Sequence, residues 1–228
     1  MKTGKAAAEF QAVSKVYGRF AALRNVSATF AEGSCTVILG ANGAGKSTLL
    51  RLAAGLASPT RGEVRVFDTA PQRQRGRVAY MSHAPMLYDE LSAMENLRYF
   101  GALAKDKGCD CSGSPEMALR AVGLDPALKR LVGEYSQGMR QRTSFARVLQ
   151  ADPELLLLDE PFSNMDAASV EQMVDLLADF RTWTVEGGGK RTILLTTHQV
   201  HLAMPLADDV VTLKNGEMVA AETAETVS

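Results

Sequence analysis

Apolar and polar residues alternate along Ala8 to Val16 and again along Phe20 to Phe30, on either side of Tyr17-Gly18. Period-two alternation around a short turn predicts two antiparallel strands. A continuous apolar run, Cys35-Thr36-Val37-Ile38-Leu39, predicts a strand covered on both faces, and Leu49 to Leu56 follows with helical spacing. Gly62 to Phe67 and Arg77 to Met81 read as further strands, separated by the basic loop Pro71 to Gly76. From about Asp89 the period lengthens. Met94, Leu97, Phe100 and Leu103, then Met117 to Val122, predict helices interrupted by a loop from Lys105 to Pro115. Strand character returns at Leu155 to Leu158, Thr192 to Thr196 and Val210 to Leu213, the last turning back through the hairpin dipeptide Asn215-Gly216. The pattern predicts an α/β frame with an inserted helix-rich segment. There is no internal repeat, and Gly187-Gly188-Gly189 reads as a loop before a strand rather than a domain boundary.

Composition narrows the class only a little. With 228 residues the chain is long enough to bury a substantial core. A formal net charge of −1 argues against broad electrostatic binding to nucleic acid. No apolar run reaches the ~20 residues that cross a bilayer, and Met1 to Glu9 lack the apolar stretch of a secretory signal, so a cytoplasmic protein is expected. The three cysteines do not make a disulfide framework. Cys35 is expected in the core, while Cys109 and Cys111 fit either a solvated loop or, lacking a third ligand nearby, a weak soft-metal pair.

The chemistry begins at Gly40-Ala41-Asn42-Gly43-Ala44-Gly45-Lys46-Ser47-Thr48, between the apolar strand and the helix. This is the strand, glycine-rich loop and helix context of a nucleoside triphosphate site. Glycines let backbone N–H groups converge on phosphate oxygens, and the helix N-terminus adds its positive dipole end. Lys46 is placed to reach the β- and γ-phosphates, and the Ser47 hydroxyl to ligate Mg²⁺. Leu155-Leu156-Leu157-Leu158-Asp159-Glu160 is a second such element: a buried strand that delivers two carboxylates at its carboxyl end. Asp159 is expected in the Mg²⁺ shell, through a water, and Glu160 is expected to orient or deprotonate the attacking water. The bland alternative for this pair is an acidic turn after a core strand.

Tyr135-Ser136-Gln137-Gly138-Met139-Arg140-Gln141-Arg142 precedes a predicted helix, Gln141 to Gln150, and here the chain resembles the ATP-binding cassette family. The resemblance implies a P-loop NTPase core, residues 1–84 and 151–228, with an N-terminal antiparallel β-subdomain, and an inserted helical subdomain, residues 85–150, that carries the signature. It implies that Ser136, Gln137, Gly138 and Met139 cap the γ-phosphate held by the phosphate loop of a second subunit. Taken alone, Ser136 is an ordinary helix cap. By the same likeness Tyr17 stacks on adenine, against the simpler reading of a half-exposed strand tyrosine. Ser163-Asn164-Met165-Asp166 matches the loop that contacts the opposite subunit, and His198 matches the histidine that senses the γ-phosphate. His201 matches nothing in the family and is expected to be structural.

Three positions depart from the family pattern. His83 stands where a glutamine usually touches Mg²⁺ and signals to the membrane partner, and Gln137 and Met139 replace a glycine and a glutamine of the signature. These replacements are similar to those of exporter cassettes, including the haem-exporter type of cytochrome c maturation. The resemblance therefore implies an ATP-hydrolysing subunit at the cytoplasmic face of the membrane. It implies a transmembrane permease and a second ATPase subunit, identical or a paralogue, as partners. The competing readings are a non-transport cassette of translation or DNA maintenance, and an importer ATPase.

Overall fold

The computed structural model describes residues 5–106, 113–185 and 188–224. Its centre is a six-stranded sheet in the order β5-β6-β7-β3-β8-β9, formed by β3 (Cys35–Leu39), β5 (Val78–Met81), β6 (Leu155–Asp159), β7 (Thr192–Thr196), β8 (Asp209–Lys214) and β9 (Glu217–Thr223). All neighbours are parallel except the β8–β9 hairpin. Asn215 and Gly216 turn that hairpin with φ of 52° and 83°, the two positive values a tight two-residue turn needs. A smaller antiparallel sheet, β2-β1-β4, comprises β1 (Ala6–Tyr17), β2 (Phe20–Ala31) and β4 (Arg61–Val66).

The apolar strands have no polar face because each serves two cores. In β6, Leu155 and Leu157 pack with the small sheet and helix α1 (Lys46–Ala53), while Leu156 and Leu158 face the helical side. In β7, Leu194 joins the first core and Ile193 and Leu195 the second. Every one of these side chains is fully buried, and each contributes about 1.5–3 kcal/mol relative to exposure. Cys35 lies in the helical-side core, and burial pushes its thiol pKa up to about 12, so it behaves as a small apolar residue.

The helical side carries α2 (Ala93–Asp106), α3 (Pro115–Ala121), α4 (Gln137–Leu149) and α5 (Ala167–Thr182), and a short α6 (Val200–Ala203) follows β7. Three differences from the sequence expectation have local causes. Helix α1 starts at Lys46, three residues before the expected Leu49, because Gly45 (φ 107°) turns the chain into it; Gly55 (φ 67°) ends it before Leu56. Helix α4 starts at Gln137 rather than Gln141, because Ser136 Oγ accepts the Met139 N–H at 3.2 Å. Helix α5 was not anticipated. Adjacent parallel strands such as β6 and β7 require a crossover, and Asp166 as N-cap with Val170, Met173, Leu177 and Phe180 at helical spacing was its signal. Cys109, Cys111 and Gly187 lie outside the described residues.

Candidate nucleotide site

A cleft of about 1120 Å³ opens over the carboxyl ends of β3, β5, β6 and β7. Gly40 to Thr48 line it without interruption, together with His83, Asp159, Glu160 and His198. Residues from four separate stretches thus meet at one place, where the carboxyl ends of parallel strands gather. The loop is wound tightly. A Cβ on Gly40 would come 2.4 Å from the Leu213 carbonyl oxygen, and one on Gly45 would come 2.5 Å from that of Ala22. No side chain caps α1 and its first turn holds no acid, so its leading N–H groups are not blocked by a side chain.

Lys46 Nζ donates to the carbonyl oxygens of Gly40 (2.7 Å) and Ala41 (3.3 Å) and lies 3.7 Å from Glu160 Oε1. Its side chain is 7% exposed, so the ion pair is poorly screened. Glu160 Oε2 is 2.9 Å from His198 Nδ1 and accepts the His198 N–H at 3.2 Å. An ionised carboxylate only accepts, which puts the proton of that ring contact on Nδ1.

Asp159 is buried beneath this pair. Its Oδ1 accepts from Ser47 Oγ and Thr196 Oγ1, both at 2.9 Å, and its Oδ2 accepts from the Tyr80 hydroxyl at 3.0 Å. Burial, reinforced by the Asp159 charge, pushes the Tyr80 pKa up to about 12, which keeps that hydroxyl a donor at neutral pH. Arg51 also hydrogen-bonds Tyr80, and that bond raises the guanidinium pKa further. Ser47 and Asp159 present hard oxygen atoms 2.9 Å apart beside a phosphate-shaped loop. That donor set suits Mg²⁺, which is held by one or two carboxylates with phosphate oxygens and water. Among the described residues no group of three or more His, Cys, Asp or Glu forms a metal cage.

Other expected site residues lie elsewhere. Tyr17 sits 45% exposed at the end of β1, under Lys15 Nζ at 4.9 Å from its ring centroid, and does not line the cleft; Phe20 does. Phe20, Arg51 and Tyr80 line the cleft without having been singled out in the sequence, and Ser163, expected in the loop that contacts the opposite subunit, lines it as well. Of the first three, only Arg51 had a sequence cue, its proximity to the phosphate loop. His201 is exposed on α6, away from the cleft.

Ser136, Gln137, Gly138 and Met139 do not line the cleft either; they form the start of α4. There Gly138 is buried against α5. A Cβ on it would lie 2.1 Å from Ser169 Oγ, and rotating that hydroxyl away leaves the Ser169 Cβ at 2.7 Å. Ser169 is itself fixed, its N–H and Oγ bound to Asp166 at 2.9 and 3.1 Å. Gly138→Ala is therefore expected to lower thermal stability by about 1–3 kcal/mol despite the better helix propensity of alanine. Ser169→Gly in the same chain should restore most of it. Calorimetric melting without nucleotide checks this, and an alanine variant as stable as the parent would mean the two helices separate freely.

Residues 23–163 match the ABC transporter family. A fluoroquinolones export ATP-binding protein of Mycobacterium tuberculosis is 37% identical over 205 residues, 88% of this chain and 65% of its own length. This chain thus spans just under two thirds of that relative. A taurine import ATP-binding protein, TauB of Burkholderia pseudomallei, is 40% identical over 220 residues, 92% of this chain and 81% of its own. Among solved structures, the dimeric post-hydrolysis state of the ATP-binding cassette MJ0796, bound to ADP and Pi, superimposes with a TM-score of 0.79 at 26% identity. That superposition covers 95% of this chain and 98% of the other.

Proposed function

The chain belongs to the ABC transporter family, and from that premise we propose that it is the ATP-hydrolysing subunit of a transporter. In this reading it drives a separate membrane-spanning permease from the cytoplasmic face of the membrane. The observation that carries the reading is the convergence of Lys46, Ser47, Asp159, Glu160 and His198 on one cleft. The glycine-rich loop holds the phosphates through its N–H groups, and Lys46 supplies the fixed cation. Glu160 orients the attacking water and accepts its proton, while His198 fixes the carboxylate through the Nδ1 contact. Ser47 and Asp159 would hold Mg²⁺, which would supply positive charge against the phosphates. Phe20, on the cleft wall where Tyr17 is not, would flank the base, and His83 on the same wall would hydrogen-bond the Mg²⁺ hydration shell.

We assign residues 1–84 and 151–228 to the nucleotide-binding core and 85–150 to a helical subdomain. The first turn of α4 has the makings of an anion site, a serine and a glycine at a helix N-terminus, yet it lies outside the cleft of its own chain. This supports its use by a second subunit, with two nucleotides sandwiched head to tail. Among the described residues no helix is long and apolar enough to cross a membrane, in keeping with a separate permease. Export is favoured by the fluoroquinolones export relative, and haem, the subordinate candidate, rests on His83, Gln137 and Met139 alone. Import is favoured by the taurine relative, and purification from native membranes with identification of the permease decides between them.

The shared site is tested by mixing two inactive subunits. Ser136→Arg blocks the signature and Lys46→Ala the phosphate loop, and a mixed dimer keeps one intact pair of each. About a quarter of parental ATPase activity is expected from an equal mixture, since only half of the dimers are mixed and each of those keeps one of its two sites. Mixed dimers shown to form, with no recovered activity, would mean that each chain completes its own site.

A further inference from the structure

We propose that Thr196 is a positioning residue for hydrolysis: its hydroxyl locks the backbone of Glu160 to the carboxylate of Asp159. The inference rests on the reading of Glu160 as the water-orienting group. Strand β7 pairs with β6 so that Thr196 stands opposite Asp159, and Thr196 is fully buried. Its Oγ1 donates to Asp159 Oδ1 at 2.9 Å and accepts the Glu160 N–H at 3.1 Å. The direction of each bond is forced, because a carboxylate only accepts and an amide only donates. One hydroxyl therefore couples the two acidic residues in series.

Glu160 needs such a tether. It adopts φ 52°, left-handed backbone that a β-carbon disfavours, at the point where the chain leaves β6. That turn swings its side chain to Lys46 on one oxygen and His198 on the other. The Glu160 N–H is shared between Thr196 Oγ1 and the Thr196 carbonyl oxygen, also at 3.1 Å, so β7 grips the turn through one residue. Removing the hydroxyl leaves the carbonyl contact and the fold in place but frees the turn to relax, and among the described residues Asp159 Oδ1 keeps only Ser47 as a donor. Rate should suffer and binding should not.

Thr196→Val preserves shape and removes the hydroxyl, and Thr196→Ser keeps it. In the purified full chain, Thr196→Val is expected to lower kcat about 10-fold, while ATP affinity by calorimetry and KM stay within about 3-fold. Thr196→Ser should recover at least about half the parental kcat. In a Glu160→Gln background, Thr196→Val should change the residual rate by less than about 2-fold, because the side chain it positions is already disabled. A parental kcat in Thr196→Val, no recovery in Thr196→Ser, or an ATP affinity that falls as far as kcat would each overturn the proposal. So would an undiminished effect in the Glu160→Gln background. A slow Glu160→Gln with a parental Thr196→Val overturns this inference alone. A parental rate in Glu160→Gln overturns the underlying reading and this one with it.

Discussion

Lys46→Ala is expected to weaken ATP binding by about 10- to 100-fold, the scale of losing a charge-assisted hydrogen bond in a poorly screened site. The ammonium is held in advance by the Gly40 and Ala41 carbonyl oxygens, so it meets the phosphates with little further loss of side-chain entropy. The substitution also leaves the half-buried Gly40 oxygen without that donor and Glu160 without its counter-charge. Both effects leave a negative group where more negative charge must enter. Calorimetry with Mg·ATP on the folded variant measures the loss, and melting in the absence of nucleotide shows whether the fold itself has suffered. Affinity near the parental value would remove the phosphate loop from the site.

Glu160→Gln is expected to do the reverse: bind ATP and hydrolyse it at least ~100-fold more slowly. Glutamine has the same shape, and its amide oxygen can still accept from His198, so the cleft keeps its geometry. What is lost is the proton acceptor and the charge that faces Lys46. If ATP binding closes a dimer and hydrolysis opens it, the variant should accumulate as an ATP-dependent dimer on size-exclusion chromatography. A variant that turns over at the parental rate would reduce Glu160 to a structural partner of Lys46 and His198.

The elements that could be read in advance are those whose cause is local. The strand Cys35–Leu39, its glycine loop and the hairpin at Asn215-Gly216 each depend on residues within one turn of the chain. The leucine run before Asp159 announced a strand covered on both faces because neither face could be polar. Helix α5 was missed where a topological argument would have found it: two neighbouring parallel strands need a crossover, whatever the local periodicity says.

The sequence by itself determined that a phosphate loop and an acidic strand end exist, because glycine conformation, lysine charge and apolar continuity are properties of short segments. Tertiary structure alone decided how those segments meet. Tyr80 and Thr196 reach Asp159 from 79 and 37 residues away, and only the register of β5, β6 and β7 aligns their hydroxyls with its two oxygens. Phe20 rather than Tyr17 lines the cleft because the turn after β1 carries the chain past the tyrosine and back through β2. The first turn of α4 lies outside the cleft because α4 packs against α5 through Gly138 and Ser169. Strand register and helix packing are set by the burial of many side chains together, and no single segment carries that information.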